Sequence, residues 1–490
     1  MISAFTVPVV GLHDMSNESR MMATPWSRLV RGIGLGQYPV AFDPSAAEHI
    51  RYAFNLLAKK LPTHEYTRFA QLTADLVLTA ADPEQASAAA AVQRKLGPVV
   101  DAIRSEPNRY YRVMAGCILM DALAKLGLDR SLLVAAEVDV PGEILADADD
   151  IKPDRIQDEN RGQHGAYERV SAYSGVFLAL GQLGLKDRLV SGERNFIRTA
   201  LELLRGIPSP FFRVRAGAML LSVISLLGFD ELAFDGDRDY MRDILDCLDV
   251  CARPDVHPSF PQPVTPRFAK AYPLFTVLNA IAASGRAEYL TYGTDWLAEA
   301  KELMSAISPP ERTHMALYYI VGLHNLGRLG DQIPDLDAYL EAVVGHAEIL
   351  DPGTDFFLHG VAYPYLIETA MITGRADLIS PRMIDRLVEA LPDLDRAPLD
   401  RINRPFTLSY CLTALADIGV ADRLFTPSVR YGGESPLAWT IGRLSDGGRE
   451  ESGRLNMIHH SLLNYALRLR GPDRRDSGLF RGYRFRLAAY

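Results

Sequence analysis

A glycine recurs eight times along this chain. Fifteen residues ahead of each of the first seven stands a basic residue or a histidine. The pairs are Arg112 with Gly127, Arg169 with Gly184, Arg213 with Gly228, Lys270 with Gly285, Arg312 with Gly327, His359 with Gly374 and Arg404 with Gly419. The eighth glycine, Gly471, has Asn456 at that distance and Arg454 two residues earlier. The average period is about 49 residues, and a repeat of that length decides the fold class before any local reading does.

Within each unit the apolar positions fall at helical spacing. Eight residues after the column position come Met120, Phe177, Leu221, Leu278, Ile320, Ile367 and Leu412. Eleven after it come Leu123, Leu180, Ile224, Ile281, Leu323, Ala370 and Leu415. Between these lies a mostly small position: Ala122, Ala179, Val223, Ala280, Gly322, Thr369 and Ala414. This is one apolar stripe on a helix of about four turns, with a place where a neighbour comes close. The glycine suits the left-handed residue that ends such a helix. An acid follows within a few residues (Asp129, Asp187, Asp230, Glu288, Asp331, Asp377, Asp422, Asp473), placed to cap a second helix such as "RNFIRTALELLRGI" or "DWLAEAKELMSAI". Strand signals are nearly absent. The expectation is an all-α chain of repeated helix hairpins that bury their stripes on one another, as an open α/α solenoid or a closed α/α toroid.

Four regions follow: an N-terminal arm over 1–44, a helical capping unit over 45–105, the hairpin repeats over 106–470, and a basic aromatic tail over 471–490. Long connectors are expected over 252–265 and 428–449, where lids or binding loops would sit. The glycines of "RLVRGIGLGQYP" follow no strand, so they read as a loop and not a dinucleotide fingerprint. The tail carries five arginines with Phe480, Tyr483, Phe485 and Tyr490 interleaved, and is read as folding back on acidic helix faces.

The net charge of −9 argues against DNA as a partner. No apolar run is long enough to span a bilayer, and the N-terminal stretch lacks the basic flank of a signal peptide. Four cysteines are too few for a disulfide framework, so a cytoplasmic protein with reduced thiols is expected. No Cys/His set has zinc spacing, and neither metal nor cofactor is expected.

The texture of "ALELLRGIPSPFFRVRAGAMLLSVISLLGFDEL" and "AKELMSAISPPERTHMALYYIVGLHNLGRLGD" resembles the tetratricopeptide-like and HEAT-like helical-repeat proteins over roughly 106–470. That resemblance implies a stacked scaffold whose inner surface grips a protein or peptide. A hydrophobic or anionic small molecule is the other ligand class the residues suit. The candidate binding residues are the basic column, Arg112, Arg169, Arg213, Lys270, Arg312 and Arg404, with His314, Tyr318, His359, Tyr363, Tyr410 and His460. The column could line up cations for an acidic ligand, or each cation could pair with an acid or carbonyl of the adjoining unit. The strict repetition favours the pairing.

One tetrad stands apart. "DADD", Asp147 to Asp150, resembles the D-x-D-D motif with which class II terpene cyclases, themselves α/α barrels, protonate an alkene. That resemblance implies a hydrophobic substrate and Asp149 as proton donor, with Asp147 and Asp150 tuning it, and the alternative to a binding scaffold is then an α/α-toroid enzyme, a cyclase of this kind or a lyase. The chain departs from the cyclases in Ile151-Lys152-Pro153 after the tetrad and in having only three tryptophans. The reading favoured here is a solvated acidic connector, within a loop from Pro141 to Arg161.

Overall fold

The computed structural model describes residues 42–60, 65–82, 89–128, 130–135, 138–151, 165–191, 194–235, 238–251, 266–348, 356–393, 408–409, 411–416, 418–444, 458–459, 461–463, 465–467 and 469. Nearly all of them are helical. The capping unit holds α1 (Pro44–Lys60), α2 (Glu65–Ala81) and α3 (Ala89–Ser105). Long and short helices then alternate. They are α4 (Arg109–Leu126), α5 (Val140–Asp149), α6 (Ala166–Gln182), α7 (Phe196–Arg205), α8 (Pro210–Leu226) and α9 (Tyr240–Cys251). Next come α10 (Pro266–Ser284), α11 (Trp296–Ala306), α12 (Pro309–Asn325), α13 (Leu336–Glu348), α14 (Phe356–Ile372), α15 (Pro381–Asp393) and α16 (Pro436–Leu444). Further helical residues lie within 408–416 and 458–467. Among the described residues no helix is long and apolar enough to cross a membrane.

Local chemistry sets the boundaries. Asn108 caps α4 by accepting from the Tyr110 and Tyr111 amides, and Gly127 ends it in the left-handed region at φ +64°. The glycines at 184, 228, 285, 327, 374 and 419 share that region, with φ from +65° to +78°. A side chain there would cost roughly 1–2 kcal/mol, which is why this column is glycine.

Two expectations need correction. Among the described residues the acid after the glycine does not cap the second helix. It sits in a short turn, as Asp187, Asp377 and Asp422 do in their 3-10 turns; Asp129 and Asp473 lie outside the described residues. The caps are Asp139, Asn195 and Asp295, whose side chains accept the amides of Gly142, Arg198, and Leu297 with Ala298. In the first three units the chain reaches that cap through a two-residue antiparallel ladder, as Val134–Ala135 pairs with Val138–Asp139. Strands this short leave no alternating pattern to read. The described part of the 428–449 stretch, 428–444, is likewise no irregular connector, because Ser435 caps α16 within it.

Each even-numbered helix from α4 to α14 packs on the next even-numbered one, and α5, α7, α9 and α13 each wedge behind two of them. The position four residues after the column is where the wedge presses in. A Cβ on Gly116 would lie 2.4 Å from Ile144 Cδ1, and one on Gly217 would lie 2.6 Å from Ile244 Cγ2. We expect Gly217→Ala to lower the unfolding free energy by about 1–3 kcal/mol in urea titration, because the buried Ile244 has no room to yield. Where the same position is tyrosine, the ring reaches across instead. Tyr363 donates to the Ala347 carbonyl at 3.1 Å and accepts from Arg386.

The two ends of the described chain touch. α1 packs on α16, His49 stacks on Phe425 with ring centroids 4.7 Å apart, and Phe54 stacks on His459 at 6.2 Å. A surface groove of about 520 Å³ runs along this seam between Tyr52, Leu56 and Pro427.

Candidate functional site

The acidic tetrad is not in a loop. Asp147 and Asp149 form the last turn of α5, and the Asp150 amide closes it on the carbonyls of Ala146 and Asp147. The helix forms because Asp139 caps it and because Val140, Ile144, Leu145 and Ala148 are buried. Carboxylates at the negative end of a helix dipole are unfavourable alone. Here arginines on both neighbouring helices offset them. Arg112 of α4 grips Asp147 with two hydrogen bonds of 2.8 and 2.7 Å, and Arg109 pairs with Asp150. From α6, Arg169 donates to Asp149 Oδ1 at 2.8 Å, and the Tyr173 hydroxyl donates to the same atom at 2.8 Å. Burial first, and then the bond to Asp149, push the Tyr173 phenol well above its usual range, so it remains a donor. The tetrad thus ties α5 to α4 and α6, and Asp149 stands as an acceptor in both of its bonds.

The basic column is engaged in the same way. Arg213 donates to the Ile207 carbonyl at 2.8 Å, and Lys270 bridges Asp249 and Glu299 at 2.8 Å each. Arg312 gathers the carbonyls of Met304, Ser305 and Ile307 at the end of α11. Arg213, Lys270 and Arg312 each reach a carbonyl or acid at the C-terminal end of the preceding short helix, and Lys270 also meets Glu299 in the first turn of α11. Tyr318 lies in α12 with its hydroxyl 3.2 Å from that of Tyr365. His314 and His359 are placed by backbone only, in α12 and α14, and Arg404, Tyr410 and His460 lie outside the described residues.

A different cluster, on the face of the even-numbered helices that no wedge covers, combines aromatic rings with one cation. On α8, apart from Pro210 and the column residue Arg213, the partly exposed residues are Phe212, Arg215, Met219, Ser222 and Leu226, at alternating spacings of three and four. These form one stripe; α6 and α10 flank α8, and α7 and α9 pack behind it. The Arg215 guanidinium lies 4.9 Å from the Tyr272 ring centre and 5.6 Å from that of Phe211, and donates to the Tyr272 hydroxyl at 3.3 Å. The aromatic surface continues in both directions. Tyr167 of α6 meets Phe212 edge-on at 4.9 Å, Tyr272 meets Tyr318 at 5.1 Å, and Tyr318 meets Tyr365 of α14 at 5.8 Å. Five successive even-numbered helices therefore contribute to one wall. A little further along the stripe, Asn325 donates to Asn279 at 2.9 Å.

Arg215 differs from its neighbours in what it donates to. Arg109, Arg112, Arg169, Arg213, Arg267, Lys270 and Arg312, in the first turns of α4 to α12, each donate to a carbonyl or a carboxylate. Arg215 has neither among the described residues, and one phenol answers its five N–H donors. Burial works against its charge, and the surrounding oxygens of Tyr167, Tyr272 and Tyr318 outweigh that cost.

Compared with known protein families, curated proteins and solved structures, the chain has no match. The likenesses noted above therefore rest on the quoted residues alone.

The sequence reading missed Arg215, and a signal for it existed. Two residues after the column position the units read Met114, Ser171, Arg215, Tyr272, His314, Val361, Phe406 and Ile458. One arginine in that set breaks the repeat, whereas the column obeys it. Among the described residues no group of three or more His, Cys, Asp or Glu could hold a metal ion.

Proposed function

We propose that this protein is a binding module, a closed ring of helix hairpins that grips its ligand on the inner face. The observation that carries this reading is the aromatic wall, which runs across five helices with Phe212, Arg215 and Tyr272 partly exposed and Tyr167, Tyr318 and Tyr365 buried beside them. The stacking of α1 on α16 and of Phe54 on His459 supports closure, with the first described helix completing the last hairpin. A ring makes the uncovered face concave, and concave faces with few, well-placed polar groups are where ligands bind. The basic column then belongs to the scaffold and the wall to the ligand.

The alternative, a class II terpene cyclase-like enzyme with Asp149 as general acid, also suits a ring. It is the weaker reading, because the two groups that touch Asp149, Arg169 and Tyr173, tie α5 to α6 in the way Arg112 and Arg109 tie the rest of the tetrad to α4. Small-angle X-ray scattering tests the ring. A compact monomer of this length has a radius of gyration of about 23 Å. A monomeric value well above it would mean an open superhelix and would remove the closure from this proposal.

A further inference from the structure

Resting on the inner-face reading above, we infer that the ligand of this wall is an organic anion with an aromatic or other flat apolar body, its acidic group held by Arg215. The inference comes from the mismatch between what Arg215 is given and what it needs. A guanidinium keeps its charge in a protein, so one taken partly out of water is costly wherever its N–H groups lack acceptors. The seven basic side chains compared above find carbonyls or carboxylates inside the protein, whereas Arg215 lies over the ring of Tyr272 and donates to its hydroxyl. Among the described residues its other N–H groups meet no carbonyl or carboxylate, and they can take an acceptor from a ligand. A carboxylate, sulfonate or phosphate offers two oxygens at the spacing of that edge, and this bidentate geometry is where arginine exceeds lysine.

The surroundings select the rest of the ligand. Phe212 and Tyr272, partly exposed near Arg215, offer ring surface that suits contact with a flat body, and the buried rings of Phe211, Tyr318 and Tyr365 pack behind them. The paired hydroxyls of Tyr318 and Tyr365 lie further along the same line. A long acidic peptide is disfavoured, because among the described residues the other first-turn cations of the even-numbered helices α4 to α12 are already engaged. On this face Arg215 then matches one acidic group.

Two fluorescent probes with the same aromatic framework test this, 8-anilinonaphthalene-1-sulfonate and the neutral N-phenyl-1-naphthylamine. We expect the full-length protein to bind the sulfonate at one site, and Arg215→Gln to weaken that binding at least about tenfold. Binding of the neutral probe should stay within about twofold. Arg215→Lys keeps the charge and loses the fork, so its sulfonate affinity should fall between the two; it also serves if Arg215→Gln does not fold. Equal sulfonate affinity in wild type and both variants would overturn the anion inference while leaving the inner face standing. Failure of both probes to bind the folded wild type would overturn the inner-face reading and this inference with it. A melting curve for each variant separates lost binding from lost structure.

Discussion

Phe54→Ala is expected to lower the unfolding free energy by about 3–5 kcal/mol, the usual cost of emptying a large buried aromatic site. Phe54 is 1% exposed and sits in α1, with its ring stacked on His459. The single substitution measures only a cavity, because α1 also packs on α2. The informative quantity is the coupling between Phe54→Ala and His459→Ala in a double-mutant cycle followed by urea unfolding. The two residues are 405 positions apart in the chain, so in an open superhelix their effects would simply add. In a closed ring they touch, and a coupling of about 0.5–1.5 kcal/mol is expected. A coupling indistinguishable from zero would sink the closure, whatever each single variant costs.

Asp147→Ala should cost about 3 kcal/mol, more than a surface ion pair would. Its carboxylate is the acceptor of a two-pronged contact from Arg112, and both side chains are about four-fifths buried. Removing it strands that guanidinium, whose proton is held more tightly than usual chiefly through the bond to Asp147 and in spite of burial. Arg109, 3.8 Å from Asp147, still has Asp150. Asp149→Asn separates this structural role from a catalytic one. Under the scaffold reading it weakens the tie to Arg169 and Tyr173 and leaves ligand binding unchanged. Under the cyclase reading it abolishes proton transfer with little change in melting temperature. Thermal unfolding together with probe binding, measured on both variants, decides between the two roles.

The helical repeat was legible because it is written in residue types that serve local needs. A left-handed helix end demands glycine wherever it occurs, and an amphipathic face demands apolar residues at fixed spacing, so both recur in register. The column of basic residues was legible for the same reason, since each described cation of the column meets a carbonyl or carboxylate at the end of an adjoining helix. The tetrad was misread as a loop because composition alone suggests that clustered aspartates are solvated. Arg109, Arg112 and Arg169, which make a helical end tolerable there, lie 20 to 41 residues away in the chain. The true caps of the second helices, Asp139, Asn195 and Asp295, were hidden by connectors of unequal length.

What the sequence by itself determined is that the chain is helical and where its long helices end, because those depend on interactions within a few turns. Only the tertiary structure could bring Phe54 to His459, or set Arg215 beside Phe211 and Tyr272 while the seven cations compared with it met carbonyls or carboxylates. Those facts depend on which side chains the stacking of one helix on the next brings within a few ångströms. No spacing along the chain encodes that distance.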